Sequence, residues 1–74
     1  MSWNYRVFKH VYKDEEYFQV HEVFYDDQGN IQGWSAEEVA ALGSNPTELR
    51  SDLGMMLQAL DRPILDAKEL EKEK

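Results

Sequence analysis

Apolar side chains recur at helical spacing in one stretch of the chain, from Asn45 to Leu60. Five of them form one stripe at positions i, i+4, i+7, i+8 and i+11: Leu49, Leu53, Met56, Leu57 and Leu60. That period is typical of an amphipathic α-helix that packs one face on a core. The sequence therefore predicts a helix here that covers one face of the remaining chain.

The ends of this helix have their own signals. Asn45 suits the N-cap, Pro46 suits the first helical position, and Glu48 places a carboxylate near the free backbone N–H groups. At the other end, Pro63 disfavours helical geometry at Arg62, so the helix is expected to stop there.

Two residues of the helix fit the stripe poorly. Gly54 costs about 1 kcal/mol against alanine in a helix interior, and it lies off the stripe, which is consistent with close approach by another backbone. Met55 points away from the stripe. It is expected to be exposed, and the alternative is that it borders a partner site.

The first 34 positions predict a sheet, because they hold all nine aromatic residues and the β-branched runs. Asp26 and Gly29 give the stronger of two turn signals, since aspartate starts a type I turn and glycine takes a left-handed conformation. The predicted strands and their turns are Trp3 to Tyr12, a turn at 13–16, Tyr17 to Tyr25, a turn at 26–30, and Asn30 to Trp34.

Pairing Tyr12 with Tyr17 across the first turn sorts the strand residues into two faces. The inner face, predicted to lie under the helix, carries Trp3, Tyr5, Val7, Val11, Phe18, Val20 and Phe24. Trp34 is predicted to join that face through a bulge at Gly29, whereas a four-residue loop would put Ile31 there.

The outer face of the sheet is the candidate contact surface. Aromatic residues are enriched at protein interfaces, and a contiguous exposed apolar patch commonly marks a contact site. A second copy of the chain is the simplest partner. The alternative is a half-exposed sheet face whose tyrosine hydroxyls stay wet. The candidate interface residues are Phe8, Tyr12, Tyr17, Val23 and Tyr25.

The remaining segments are less regular. Residues 35–44 are predicted to form an irregular connection with at most one helical turn, with Val39 and Leu42 packed on the sheet or the helix edge. We expect one domain over residues 1–65. Residues 66–74 are charged and expected to be frayed, with a weak helix through Leu70 as the alternative.

Composition narrows the functional classes. The chain has 74 residues, no cysteine and a net charge of −7, so neither a disulfide nor a thiolate metal site supports its small core. The negative charge opposes nucleic-acid binding and suits a basic protein partner. Since we see no signal peptide and no membrane-length apolar run, we expect a cytoplasmic protein without a membrane partner.

The sequence contains no recognisable constellation for catalysis. His10 and His21 are the only histidines, and no third convergent ligand is visible, so we expect neither a metal nor a cofactor. The paired acids lie in turns and loops, where turn chemistry explains them. No phosphate-binding glycine loop or activated nucleophile is recognisable, so we predict no catalytic residues and no enzyme.

Four motifs resemble a family of small bacterial proteins of unknown function: W-x-Y-R-V at 3–7, H-E-V-F-Y-D-D-x-G at 21–29, W-S at 34–35, and T-E-L-R-S-D-L-x-M-M-L-x-A-L-D-R-P-I-L at 47–65. This resemblance implies no activity and no functional residues. The layout of three antiparallel strands and one helix is also similar to the partly degraded RNase H-like or double-stranded-RNA-binding-like domain of HicB antitoxins. Within that resemblance, the acidity of the chain fits neutralising a basic toxin better than holding RNA.

The sequence thus predicts an α+β fold of order β-β-β-α, in which one C-terminal helix packs on a three-stranded antiparallel sheet. The predicted function is a non-enzymatic protein-interaction module. The alternative is an antitoxin of the HicB type or a nucleic-acid-binding βββα domain that uses Arg6, Lys9, His10 and Lys13. Salt-dependent binding to RNA or DNA would distinguish a nucleic-acid-binding domain from a protein-interaction module, and we expect no such binding.

Overall fold

The chain folds into a curled sheet of four strands with helices on both of its faces. The structure is a computed structural model and describes residues 2–37 and 39–72. Its elements in chain order are β1 (Ser2–Tyr12), β2 (Glu15–Tyr25), β3 (Ile31–Trp34), α1 (Pro46–Gln58), a 3₁₀ turn (Ala59–Asp61), β4 (Leu65–Asp66) and α2 (Ala67–Lys72). The strand order is β3-β2-β1-β4. The predicted α+β class is confirmed.

The first hairpin is tighter than predicted. Tyr12 pairs with Glu15 and not with Tyr17, which faces His10. Lys13 and Asp14 form the two-residue turn, with φ values of 51° and 67°. Positive φ at both positions is typical of a type I′ turn, whose twist matches that of the strands it joins. The pairing differs from the predicted one by two residues, and an even shift leaves every side chain on its predicted face.

The second hairpin contains the predicted turn at Asp26 and Gly29. Oδ1 of Asp26 accepts hydrogen bonds from the backbone N–H groups of Gln28 and Asn30, both at 2.9 Å, and Gly29 has φ of 83°. A bulge between Phe24 and Tyr25 then shifts the pairing of β2 with β3.

The bulge puts Trp34 on the outer face, which corrects our prediction for this residue. Trp34 pairs with Val23, and Ile31 pairs with Tyr25. Directly opposed residues of antiparallel strands share a face. Trp34 and Ile31 therefore both lie on the outer side, and neither lies under α1.

The end of the chain departs most from the predicted fold. After the 3₁₀ turn, β4 pairs in parallel with β1, with Leu65 opposite Phe8 and Asp66 opposite Lys9. Helix α2 then packs on the outer face, where Ala67 is buried. Three antiparallel strands are present as predicted, but a fourth, parallel strand was missed. Residues 67–72 are helical, which matches our alternative of a weak helix and not the frayed tail that we expected, and residues 73–74 lie outside the described part.

The sheet separates two small clusters of buried side chains. On the inner face, Tyr5, Val7 and Ala59 form a cluster with the half-buried Val20, Val39 and Met56. The outer cluster is built on Phe8, Val23 and Ala67, packed with Tyr25, Ile31, Trp34, Leu65 and Leu70. Each face is thus covered by a different helix.

The connection into α1 is irregular, as predicted. Val39 packs on the inner cluster, and its N–H donates to the carbonyl of Val20 at 3.2 Å. Leu42 is exposed, so its predicted packing is wrong. Glu38 lies outside the described residues. The predicted N-cap is confirmed, because the Asn45 side chain accepts a hydrogen bond from the N–H of Glu48 at 2.9 Å.

Candidate functional site

Helix α1 contacts the sheet through an unexpected side. The hydroxyl of Tyr5 donates a hydrogen bond to Oδ1 of Asp52 at 2.6 Å. One and two turns further on, Met56 and Ala59 pack on the inner cluster, and Ala59 is fully buried. Since alanine has a short side chain, this end of the helical segment lies close to the sheet. Asp52, Met56 and Ala59 have helical spacing and define the sheet-facing side.

The predicted apolar stripe of α1 is therefore mostly turned outward. Of its five members, only Met56 packs on the core. The other four, named here the α1 stripe, are exposed by 38%, 51%, 67% and 61%: Leu49, Leu53, Leu57 and Leu60. No residue of α1 itself is buried. At about 100° per residue, the α1 stripe is rotated by roughly a quarter turn from the sheet-facing side. Our prediction that this stripe packs on the sheet is wrong.

A second apolar area lies at the turn end of the first hairpin. Val11, Phe18 and Ile64 are each about half exposed. Phe18 and Ile64 share a shallow hollow with Lys9 and Asp66. This end of the inner face is therefore only partly covered.

The candidate interface residues of the outer face are separated by the fold. Phe8 and Val23 are fully buried in the outer cluster. Tyr25 is half-buried, and its hydroxyl donates to Oδ1 of Asn4 at 2.8 Å. Tyr12 and Tyr17 remain exposed at the turn end of the hairpin. Only these two tyrosines retain a large exposed surface for a partner, so the interface predicted for this face rests on them.

A cleft of about 570 Å³ opens beside the Tyr5–Asp52 bond, between α1 and the connection that precedes it. Burial and the bond to Asp52 raise the pKa of Tyr5 to about 12. The hydrogen bond from Tyr5 and a second one from the backbone of Leu42 hold the pKa of Asp52 below its ordinary value.

A second carboxylate of this cleft, Glu48, also accepts two hydrogen bonds. Glu48 accepts hydrogen bonds from the hydroxyl and the backbone N–H of Ser44, which lower its pKa. A carboxyl group with a lowered pKa is ionised at neutral pH and is a poor proton donor, whereas a tyrosine with a raised pKa is a poor base. The bonds of Tyr5, Asp52 and Glu48 therefore connect α1 to the sheet and to the segment that precedes it.

The two histidines meet on the outer face. Nε2 of His10 lies 2.9 Å from Nε2 of His21, and Nδ1 of His21 lies 3.1 Å from the carbonyl oxygen of Ser35. A carbonyl only accepts, so we assign the proton on Nδ1 of His21, whose Nε2 then accepts from His10. Among the described residues, no group of three or more potential ligands converges to hold a metal ion.

Besides His10, both Arg6 and Lys9 of the predicted basic surface are engaged within the fold. Nη2 of Arg6 donates to the carbonyl of Pro63 at 2.7 Å, and Nη1 donates to the hydroxyl of Tyr25 at 3.1 Å. The ammonium of Lys9 lies 3.3 Å from Asp66 and 3.4 Å from Glu16, and these carboxylates raise its pKa. Both side chains therefore tie strands and connections together.

No family model, curated protein or solved structure matches the chain. The resemblances to a bacterial family and to HicB antitoxins thus stay predictions. None of the helices in residues 2–37 and 39–72 is both long and apolar enough to cross a membrane.

Sequence reasoning found the leucines of the α1 stripe but assigned them to the wrong environment. One signal in the sequence points to the correct side of the helix. Asp52, Met56 and Ala59 also recur at helical spacing, and they bring one small and one hydrogen-bonding side chain to the sheet. A prediction that considers only apolar character selects the leucines, because the other set contains a polar residue and an alanine.

Proposed function

We propose that this protein is a non-enzymatic protein-interaction module whose contact surface is the α1 stripe. The observation that carries the proposal is the exposure of four leucines aligned on one side of a helix. From Leu49 to Leu60 they extend over about 17 Å along the helix axis. Contiguous apolar surface of this kind is uncommon on soluble monomers unless it binds something.

The side chains around the α1 stripe suit a contact surface. Large apolar groups supply most of the favourable free energy of association, and polar groups at the rim supply orientation. Arg50 and Asp61 are exposed beside the leucines and provide such a rim. Because α1 is joined to the sheet by the Tyr5–Asp52 bond and by Ala59, its leucines are presented on a supported helix.

The other functional classes find less support in the described residues. A catalytic site needs a proton donor or acceptor with a pKa near neutrality, and the shifts in the cleft move Tyr5, Asp52 and Glu48 away from it. A nucleic-acid surface needs free cations, whereas Arg6 and Lys9 are engaged within the fold.

The proposal is tested by comparing two double variants of equal charge change. Leu53→Glu with Leu57→Glu alters the α1 stripe, and Tyr12→Glu with Tyr17→Glu alters the exposed end of the outer face. Each variant and the wild-type chain is used to capture proteins from an extract of the source cell, with quantification by mass spectrometry. Thermal unfolding followed by circular dichroism verifies that both variants fold.

We expect the leucine variant to lose at least nine-tenths of the specifically captured protein and the tyrosine variant to keep it. Loss in the tyrosine variant alone would move the contact surface to the outer face. Equal capture by all three chains would overturn the proposal.

A further inference from the structure

We infer that the partner of the α1 stripe is a second copy of this chain, packed with its α1 antiparallel to the first. This inference rests on the proposed function, since it takes the α1 stripe to be the contact surface. A two-fold dimer requires a surface that is complementary to itself. The stripe and the residues along one flank of it meet that requirement in three respects.

The leucines themselves are arranged symmetrically. Leu53 and Leu57 lie equally far from position 55, and Leu49 and Leu60 lie almost equally far from it. When two antiparallel copies cross at this level, Leu53 of one faces Leu57 of the other, and the outer pair meets in the same way. The apolar side chains of both copies are then matched along the whole stripe.

Charges on one flank match in the same alignment. Arg50 of α1 and Asp61 of the 3₁₀ turn are both exposed. Continuing the helical path of α1 through residues 59–61 places both on the flank of the α1 stripe that faces away from the sheet. Antiparallel pairing brings equivalent flanks of two helices together. Arg50 of each copy then lies opposite Asp61 of the other, which gives two symmetric ion pairs at the rim. Rim pairs of this kind select the partner and its orientation more than they add affinity.

Gly54 completes the match. It lies on the same flank, between Arg50 and Asp61, and among the described residues nothing approaches within 4 Å of a Cβ placed there. The close approach predicted for this glycine is therefore absent within one copy. In the antiparallel alignment it lies opposite Leu57 of the second copy, the most exposed leucine of the α1 stripe. Bare backbone at Gly54 leaves room for that side chain.

The first experiment is sedimentation equilibrium of the full chain over a concentration series. Thermal unfolding is measured at protein concentrations below the dissociation constant, where the chain is a monomer. A single pair of helices forms an interface at the small end of specific contacts, so we expect a dimer with a micromolar dissociation constant. Gly54→Gln should weaken this dimer at least tenfold. It should also raise the melting temperature of the monomer, because glutamine is the better helix former and has open space there.

Ser51→Gln is the matched control, since Ser51 is exposed in the same helix but away from the α1 stripe. It should leave the dissociation constant unchanged. A Gly54→Gln variant that dimerises as well as the wild type would overturn the role of Gly54 and with it the alignment. The opposite directions expected for monomer stability and dimer affinity separate a contact effect from a folding defect.

Charge exchange tests the flank. Arg50→Asp and Asp61→Arg should each weaken the dimer, because each places like charges opposite one another. The double variant restores opposite charges and should restore the wild-type dissociation constant. Failure of the double variant to recover affinity would contradict the antiparallel alignment.

Cysteine cross-linking tests the orientation directly, since the chain has no native cysteine. Arg50→Cys alone and Asp61→Cys alone should form little disulfide dimer under mild oxidation, whereas their mixture should cross-link. Efficient cross-linking of Arg50→Cys with itself would show a parallel arrangement and overturn the inference.

The dimer and the contact surface can fail separately. A wild-type chain that stays monomeric at every concentration overturns the second copy as partner, while the proposed function still holds if the leucine double variant loses a different captured protein. A dimer that survives Leu53→Glu with Leu57→Glu places self-association elsewhere on the molecule and overturns the inference as well.

Discussion

The hydroxyl of Tyr5 donates a hydrogen bond to Oδ1 of Asp52, and this 2.6 Å contact joins β1 to α1 across the inner face. Oδ2 of the same carboxylate accepts the N–H of Leu42 at 2.8 Å, so the connection before the helix is held as well. With Asp52 and Ala59 turned toward the sheet, the leucines of the α1 stripe are turned toward solvent.

Removing the hydroxyl of Tyr5 should destabilise the fold without altering the apolar core. Tyr5→Phe deletes a hydrogen bond to a charged acceptor, and we expect the free energy of unfolding to fall by roughly 1 to 2 kcal/mol. Urea denaturation followed by circular dichroism measures the change. Tyr12→Phe is the control, because Tyr12 is exposed, and it should be neutral. Equal effects of the two substitutions would contradict the role of the Tyr5–Asp52 bond.

The raised pKa of Tyr5 predicts sensitivity to alkali. Its pKa is about 12 in the folded chain against an ordinary value of 10.0. The folded state therefore holds this proton more tightly than the unfolded state does. The resulting stabilisation is fully present below pH 10 and is lost as the pH rises toward 12.

The urea midpoint of the wild type should accordingly fall between pH 10 and pH 12, and that of Tyr5→Phe should fall less over the same range. Parallel pH profiles of the two proteins would mean that another group controls the alkaline transition.

The N-cap of α1 offers a second local test. Asn45→Ala removes the acceptor for the N–H of Glu48, and we expect a loss of about 1 kcal/mol in the free energy of unfolding. Asn45→Asp retains an oxygen acceptor and should cost little. Chemical denaturation of both variants checks the difference, and a neutral alanine variant would show that the cap contributes nothing measurable.

Alanine substitutions should distinguish the two apolar environments of the chain. Phe8 is fully buried on the outer face, so Phe8→Ala should cost about 3 to 5 kcal/mol and unfold a domain of this size at moderate temperature. Leu57→Ala should cost less than about 0.5 kcal/mol in the monomer, since its side chain is mostly exposed there. A reversed order of stabilities would place the α1 stripe in the core after all.

The packing of α2 is tested by substituting aspartate at two neighbouring positions, one buried and one exposed. Ala67 is buried against Phe8 and Val23, and Ala67→Asp would bury a carboxylate without a partner, at a cost on the order of 3 kcal/mol. Lys68 is exposed, and Lys68→Asp should be tolerated. Thermal melting compares the two. Equal melting temperatures would indicate that α2 does not cover the outer face.

Patterns over a few residues were sufficient for much of the fold. Because side chains alternate along β1 and β2, the sequence assigns each residue of the hairpin to one of its two faces. The predicted pairing was wrong by two residues, and a shift by an even number leaves these assignments unchanged. The turn at Asp26 and Gly29 and the cap at Asn45 are likewise recognisable, because in each a side-chain oxygen accepts hydrogen bonds from backbone N–H groups within four residues.

The candidate site was only half accessible to such reasoning. The leucines of the α1 stripe were found, but whether they face the sheet or solvent depends on Tyr5, which lies 47 positions before Asp52 in the chain. Strand β4 was missed, and α2 was given only as the alternative to a frayed end, because an acidic, charged segment carries little apolar periodicity. Their formation follows from pairing with β1 and from burial of Ala67.

The sequence by itself thus determined the α+β class, the sorting of strand residues into two faces and the start of α1. Each of these follows from local backbone geometry and from the periods of strands and helices. Only the tertiary structure decided the rotation of α1, the covering of Phe8 and Val23 by the chain end, and the exposure of the α1 stripe. The physical reason is that these depend on contacts between residues far apart in the chain, which the apolar period of one helix does not specify.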